Sequence, residues 1–485
     1  MQKQIFFLTA FFSLLITNLQ AQKNTFTPEE IRKDMAFLKR KFENIHPGMY
    51  HYMGQKEYEK IYDSLYNAIK EPMSYMDAVK HISPLVINLK DGHTSITHRK
   101  GFSTKKTKTF PFVIRRLPEK FYIAYNYSND TTIVRGSEIL SINDEPIPQI
   151  ISKIRTLISV DNDNQNSRDY YAINFFSVFY LKYYGEMDSV KISYKLPQTD
   201  SLIHRKVACL TNAQTMAAFN KRYKKQFVRD NLSYKILDSL NKIAIIDITS
   251  FSMQYSKWDM GQFKFKKSLK KRFSSIKEAG IEHLIIDFRG NGGGYIPNVS
   301  RFLSYFAKEP FTLIDTLMFK KKAYFTIFKP WYLSPPAFAW LGFPKRQGAF
   351  MYRVNKSNTK NKPQTDLAYR NKTYFLVDAG CYSATTFTLN LAKDMGVGTT
   401  YIGEQVGGAT WGSFAVNWQD FKLPNTKLSV HCPLMKLNHK FVNTEPKAFF
   451  LQPDFEVRRN VEELFKNNSN VIDFTVNMIK ASKQK

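Results

Sequence analysis

Apolar residues recur at helical spacing through the first hundred positions. Ile31, Met35, Leu38, Phe42 and Ile45 alternate steps of four and three, which puts them on one face of a helix. Thr27-Pro28-Glu29-Glu30 predicts its start, with a hydroxyl at the N-cap, proline at the first helical position and glutamate at the third. Pro47 stops it. Tyr58, Ile61, Tyr62, Leu65 and Ile69 predict a second helix, and Val79, Ile82, Val86 and Leu89 a third, interrupted near Pro84. From about residue 110 to 210 the pattern changes to short β-rich runs at 110–117, 121–127, 133–142 and 190–196. After residue 233 apolar strand runs (242–251, 283–288, 374–377) alternate with helical spacings such as Phe387, Leu391 and Met395. Strands alternating with helices predict a layered α/β unit.

These changes of rhythm divide the chain into a helical segment at 22–97, a β-rich segment at 98–212 and an α/β core at 230–480. Residues 305–372 interrupt the core with an aromatic, proline-broken insertion around Pro330-Trp331-Tyr332 and Pro335-Pro336. It reads as a packed excursion, a lid or a membrane-touching patch. The length, 485 residues, fits about three domains. With 43% apolar and 23% charged residues, disordered, collagenous and multi-span membrane classes are excluded.

Charge adds one anomaly: 71 Lys+Arg against 41 Asp+Glu, a net +30. Such a balance favours anionic partners, for instance an anionic envelope surface. Yet the densest run, Lys264 to Arg272, has Leu269, Phe273 and Ile276 at helical spacing on its other side and reads as the wet face of an amphipathic helix. No RNA-recognition, zinc-finger or helix-turn-helix signature accompanies it, so nucleic acid is not an expected partner.

Residues 1–21 have the form of a signal peptide: Lys3, a short apolar stretch from Ile5 to Ile16, and Leu19-Gln20-Ala21 as a small-residue cleavage site. The apolar stretch falls short of the about 20 residues a bilayer crossing needs. The expectation is export to the periplasm or beyond, after cleavage near Ala21. Three widely separated cysteines, Cys209, Cys381 and Cys432, make no disulfide framework; at most one bridge is possible. No CxxC, HExxH or Walker-type run occurs, so neither a metal nor another cofactor is expected.

Two strand-to-turn junctions carry candidate chemistry. In the first, Leu284-Ile285-Ile286-Asp287-Phe288-Arg289 runs into Gly290-Asn291-Gly292-Gly293-Gly294, where exposed N–H groups could hold an oxyanion. In the second, Tyr374-Phe375-Leu376-Val377 leads through Asp378-Ala379-Gly380-Cys381-Tyr382 to Ser383 and a helix. Ser383 reads plainly as a helix N-cap. The same placement would expose its Oγ at the positive end of a helix dipole, with the Ala384 N–H aimed at developing charge. A third feature, Gly136 to Ile147 followed by Ile150, Ile151, Ile154 and Leu157, resembles the Gly-Asp-x-Ile-x-x-Ile-Asn-Gly segment of PDZ domains. Such domains bind chain termini by strand addition.

In chain order, Asp91-Gly92-His93-Thr94, Asp287 to Gly294, Ser383-Ala384, Gly403-Glu404-Gln405-Val406-Gly407-Gly408 and Pro453-Asp454 form a set. This set resembles the carboxyl-terminal processing (tail-specific) protease family, including its tricorn-core-like branch. The resemblance implies a serine peptidase on a crotonase/ClpP-like β-α core, with a helical N-terminal region, a PDZ-like β-rich domain and a polypeptide substrate. It implies Ser383 as nucleophile, and Ala384 with a glycine of the Gly292–Gly293 pair as oxyanion hole. Oligomeric state is not legible.

The sequence departs from that family at the base. Members with a Ser-Lys dyad carry lysine where this chain has Gly408. A serine hydroxyl without a base is a poor nucleophile at neutral pH. The tricorn-like branch implies an upstream histidine and a downstream glutamate, for which His93 and Glu445 stand at matching places, although Gly92 replaces the serine beside that histidine. His431 and His439 lie nearer to Ser383 in sequence; His46, before Pro47-Gly48, reads as a helix-end cap. Two functions follow. One is an exported serine endopeptidase working through an acyl-enzyme on Ser383 with His93 as general base. The other is a catalytically inactive peptide-binding protein that keeps the fold.

Overall fold

A computed structural model describes residues 23–483 apart from 103–105, 198, 224–230, 253–261, 324–344, 355–360, 398–399, 441–447 and 466–468. Residues 1–21, expected to be a signal peptide, Glu445 and the Trp331–Trp340 part of the insertion lie outside the described residues.

The helix Pro28–Ile45 begins as its sequence predicts. The Thr27 side chain accepts from the Glu30 N–H and the Glu30 carboxylate accepts from the Thr27 N–H, a reciprocal capping box. Ile31, Met35, Leu38, Phe42 and Ile45 are all buried, and His46 takes the C-cap. The helices Gln55–Ala68, Tyr75–Ile82 and Pro84–Ile87 follow, the last two divided at Ser83-Pro84. This helical segment has no core of its own: Leu38, Phe42, Val79 and Leu85 belong to one hydrophobic cluster with Phe251, Phe288, Phe375 and Leu437.

The β-rich segment has its own core, built from Phe112, Ile114, Ile123, Ile139, Ile150, Ile192 and neighbours. Its sheet runs Leu202–Ala208, Ser189–Lys195, Glu138–Ile142, Phe121–Asn126, Phe112–Arg116, so that Phe112–Arg116 forms an edge. Three helices, Ile147–Arg155, Gln165–Asn174 and Phe176–Tyr184, come between its strands in sequence; the last two carry no signal that the sequence reading used. A buried lysine ties this unit to the rest. Lys182 Nζ donates to the carbonyl of Ile96, two residues past the Asp-Gly-His-Thr run.

The α/β core is a six-stranded sheet in the order Leu232–Asp238, Ile243–Ile248, His283–Asp287, Lys372–Val377, Thr400–Gly403, Phe455–Glu456. All neighbours are parallel except the first pair. The four inner strands are nearly all buried along their length, as befits a parallel sheet covered on both faces, whereas the outer strands Leu232–Asp238 and Phe455–Glu456 are partly exposed. Gln262–Glu278 is one of them: Phe265, Leu269, Phe273 and Ile276 are buried while Lys264, Lys266, Lys267, Lys270 and Lys271 face solvent, as the spacing predicts. Phe251, Phe265, Phe288 and Phe302 are fully buried together, and truncating one such ring costs about 3–5 kcal/mol.

A second sheet carries the other wall of the site. The insertion contributes Ile314–Lys320, Lys345–Gln347 and Phe350–Val354 to it, packed as strands beside Ser429–His439 and Gly412–Lys422. The short strand Ser95–Thr97 also pairs with Ser429–His439, which fixes the chain just after His93. All three cysteines are buried and free.

Candidate active site

The two glycine- and serine-bearing junctions meet because their strands are parallel neighbours. His283–Asp287 pairs with Lys372–Val377 in register Asp287 to Leu376, so both turns leave the same edge of the sheet. Asp378 ties them together: its Oδ1 accepts from the N–H groups of Gly290 and Gly380 at 2.8 and 2.9 Å. Buried Arg289 grips Asp287 through Nε and Nη2 at 2.9 and 2.7 Å and anchors the other turn.

Ser383 sits at the N-cap position of Ala384–Asp394, but its side chain caps nothing. Its backbone stands at φ 55°, ψ −121°, where a non-glycine residue is strained by about 1–3 kcal/mol. The plain N-cap reading therefore fails; the turn presents Oγ instead of using it. Gly293 lies directly against this turn. A Cβ there would stand 2.8 Å from Ser383 Cβ and 2.9 Å from the Ala384 nitrogen, and φ is +108°. Only glycine fits. Its own N–H donates to Asn291 Oδ1 at 2.9 Å, so within the Gly292–Gly293 pair it is Gly292 whose amide has no acceptor among the described residues. The Ala384 N–H likewise has none, whereas Thr385 and Phe387 bond back to Tyr382 and Ser383.

His93 comes to the same place from the front of the chain. Its imidazole lies over the ring of Tyr382, the neighbour of Ser383, with centroids 4.7 Å apart. Nδ1 is 3.1 Å from the Tyr382 hydroxyl and 3.2 Å from Ser413 Oγ. Burial lowers the His93 pKa below the ordinary imidazole value; the Asp91 charge opposes this and His431 adds to it. The ring is thus held neutral at neutral pH, as a general base requires.

Asp91 holds the loop. Its Oδ1 accepts the His93 N–H at 2.9 Å, and Oδ2 takes His46 Nε2 at 3.0 Å and the Thr94 hydroxyl. Burial works against its ionisation, yet His46, His93 and Thr94 together hold its pKa below the usual carboxylate value. His46, whose Nδ1 accepts from Gly48 N–H, is thereby a structural partner as well as a helix cap.

Three residues that sequence reasoning passed over complete the surroundings. The Tyr382 hydroxyl donates to Asp161 Oδ1 at 2.6 Å, and Asp161 also accepts from the N–H groups of Gly92 and Ala409. Burial, with the Asp91 charge, raises the Asp161 pKa to about 7. Trp418 stacks on His93 at 5.7 Å and on His431 at 4.6 Å. Asp91, His93 and Asp161 offer ligand atoms within 4.8 Å of one another, enough to hold a cation; the carboxylate oxygens are engaged in the hydrogen bonds just described.

The remaining predicted positions fall as follows. Gly408 packs against the helix after Ser383: a Cβ would meet Thr386 Oγ1 at 2.4 Å. Gly92 packs against Tyr382, where a Cβ would meet the hydroxyl at 2.4 Å. His439 is buried edge-on to Phe387 with its pKa lowered to about 3 by burial, while His431 lies towards solvent, paired with Asp420 at 2.6 Å. Glu445 lies outside the described residues.

Residues 242–431 match the model of peptidase family S41. Among solved structures, mature CPAF complexed with lactacystin aligns with a TM-score of 0.66 at 13% identity, covering 94% of this chain and 98% of that one. Mature CPAF by itself aligns at 0.62 and 14%, covering 90% and 94%. At such identities the likeness is one of fold. Among curated proteins no sequence matches the chain. The 242–431 segment thus fits the model of peptidase family S41, and the whole length is laid out like a solved protein of the same fold, so the chain is similar to that family through its α/β core.

Proposed function

We propose that the chain is an exported serine endopeptidase that cleaves polypeptides through an acyl-enzyme on Ser383, with His93 as general base. The carrying observation is the imidazole of His93 held against Tyr382, ring centroids 4.7 Å apart, one residue from a serine whose backbone is strained and whose hydroxyl caps nothing. His93 would take the Oγ proton as Ser383 attacks the scissile carbonyl. The Ala384 and Gly292 N–H groups would receive the oxyanion at the positive end of the helix, and His93 would return the proton to the leaving amine. Glu445 would stabilise charge beside this pair. A lysine is not needed at position 408, which Thr386 leaves no room for.

The β-rich unit would hold the substrate in PDZ-like fashion. Its edge strand Phe112–Arg116 and the helix Gln165–Asn174 border a cavity of about 260 Å³ whose wall holds Arg115 together with Arg116, Arg458 and Arg459, these three paired with Asp169, Glu456 and Asp378. An extended peptide could add to that edge with its carboxylate among the guanidinium groups. The leader-like start supports export, and the +30 charge supports retention at an anionic envelope surface.

A fluorophosphonate probe tests the nucleophile: wild type is expected to label and Ser383→Ala not to. Equal labelling of both removes Ser383 from the mechanism. His93→Ala is expected to lower peptide hydrolysis by about 10²–10⁴-fold. Full hydrolysis in that variant moves the base elsewhere. Peptide binding with no turnover in wild type would select the inactive binding protein instead.

A further inference from the structure

We propose that Asp161, acting through the Tyr382 hydroxyl, is the positioning carboxylate that sets the tautomer of His93 and supports its positive charge during catalysis; this rests on the Ser383–His93 reading. The argument is a count of protons. A phenol carries one, and Tyr382 gives it to Asp161 Oδ1 over 2.6 Å. The phenol oxygen then faces His93 Nδ1, 3.1 Å away, with lone pairs only. An unprotonated Nδ1 would set its lone pair against that oxygen and repel it, so the ring nitrogen must bring the proton. Neutral His93 therefore keeps its hydrogen on Nδ1 and its lone pair on Nε2. Ser413 Oγ, 3.2 Å from the same Nδ1, can share that proton.

Asp91, the carboxylate nearer in sequence, does not do this. Its Oδ1 is 3.9 Å from Nδ1 and takes the His93 backbone N–H, and its Oδ2 is engaged by His46 and Thr94. Asp91 fixes the main chain; Asp161 and Tyr382 fix the ring.

The position of Asp161 is built for the task. Gly92 N–H donates to its Oδ1 at 2.9 Å, and Ala409 N–H to its Oδ2 at 3.3 Å. Gly92 is itself one of the two departures from the family pattern, and Ala409 follows the other, Gly408. Glycine at 92 is what lets the phenol reach in, since a Cβ there would overlap the hydroxyl. Asp161 itself arrives from the far end of the β-rich unit, whose Asn164 donates to the carbonyls of Val406 and Gly407 and docks the segment.

Through the reaction cycle the balance is simple. The Oγ proton passes to Nε2 as the new C–O bond forms, Nδ1–H stays, and neither Tyr382 nor Asp161 gains or loses a proton. The negative charge of Asp161 favours the imidazolium through the polarised phenol. The same proton then leaves with the amine as the C–N bond breaks. The titratable groups facing His93 are Asp91, Asp161, Tyr382 and His431.

The test compares Tyr382→Phe, Asp161→Asn and Ser383→Ala with wild type, by peptide hydrolysis, by fluorophosphonate acylation rate and by ¹⁵N NMR of the His93 ring. Tyr382→Phe and Asp161→Asn are expected to lower kcat by about 10²–10³-fold with KM within about threefold, as when an orienting carboxylate is lost. Wild-type His93 is expected to show a protonated Nδ1, and Tyr382→Phe a mixture of tautomers. If both variants acylate within about twofold of wild type while Ser383→Ala is dead, the positioning role falls and the Ser383–His93 pair stands. If Ser383→Ala hydrolyses normally, the pair falls and the positioning role with it. Should Asp161→Asn fail to fold, Tyr382→Phe decides: an unchanged Nδ1-protonated signal there overturns the proposal.

Discussion

The indole of Trp418 lies on the imidazole of His93, centroids 5.7 Å apart and planes 30° from parallel, because its strand carries one residue too many. Along Gly412–Lys422, Ser413 pairs with Leu437 and Ala415 with Met435, but the next residue on that face, opposite Pro433, is Trp418. Val416 and Asn417 absorb the extra residue at φ 63° and 48°, and for a β-branched valine that is a strained choice. The bulge moves Trp418 onto the Ser413 side of the sheet, the side His93 touches. Trp418 remains 43% exposed, so it walls the imidazole on the solvent side.

Replacing Trp418 with Ala is therefore expected to cost activity without unfolding the chain. An aromatic stack is worth about 0.5–1.5 kcal/mol, which corresponds to a fall in kcat/KM of about 2–12-fold. Trp418→Phe should recover most of it. A melting curve for each variant, measured beside the kinetics, separates this from a loss of fold.

Gly92 carries a second prediction. A methyl group on its Cα would sit 2.4 Å from the Tyr382 hydroxyl and 2.9 Å from Cζ, against a buried ring. Overpacking of this kind costs about 1–3 kcal/mol, so Gly92→Ala should lower the melting temperature. It should also slow hydrolysis at least tenfold, because the hydroxyl it displaces is the one bonded to His93. Pairing it with Tyr382→Phe, which removes the contact with the oxygen but keeps that with Cζ and takes a donor from Asp161, should restore at most part of the stability and none of the rate.

Position 408 offers the reverse experiment, an attempt to supply the lysine that dyad peptidases carry. Gly408→Lys is expected to bring no gain in Ser383 acylation and to destabilise the chain by about 1–3 kcal/mol, since Thr386 Oγ1, Cβ and Cγ2 lie 2.4–3.2 Å from the new Cβ. An increase in acylation rate in this variant crossed with His93→Ala would show that the helix after Ser383 can yield and admit a lysine base.

Much of this arrangement was legible in the chain because it rests on local rules. The capping box at Thr27, the apolar stripe of Gln262–Glu278, and the two strands that run into Gly290 and Ser383 each follow from spacing and turn chemistry. The illegible part is what depends on contacts across the sequence. Asp161 lies just beyond the helix Ile147–Arg155, and nothing near it signals that it lies beside Tyr382, 221 positions later. Trp418 reaches His93 only through a bulge set by its pairing with Ser429–His439. The helices Gln165–Asn174 and Phe176–Tyr184 went unread for a similar reason: they are rich in aromatic side chains, and only packing against the sheet beside them decides which face is inside.

The last prediction concerns pH, where Asp161 and His93 pull in opposite directions. Burial raises the Asp161 pKa to about 7, above the about 3.9 of an unfolded chain. Between those values the folded state holds the extra proton, so its contribution to stability is complete below about pH 4 and is lost as pH rises through about 7. His93 is lowered below its ordinary value, so the unfolded chain takes up its proton first and stability falls as pH drops below about 6.5. Asp161→Asn removes the first effect alone. Relative to that variant, wild type should lose melting temperature steadily from pH 4 to pH 7 and no further above it. Activity should move the other way, since the ionised carboxylate is the form that supports the imidazolium. Wild-type acylation of Ser383 should rise through a limb near pH 7 that belongs to the interacting pair. In Asp161→Asn that limb should give way to one below pH 6.5, set by His93 with Asp91 and His431 as its remaining charged neighbours. A profile unchanged by the substitution would mean that Asp161 remains protonated throughout and contributes shape rather than charge.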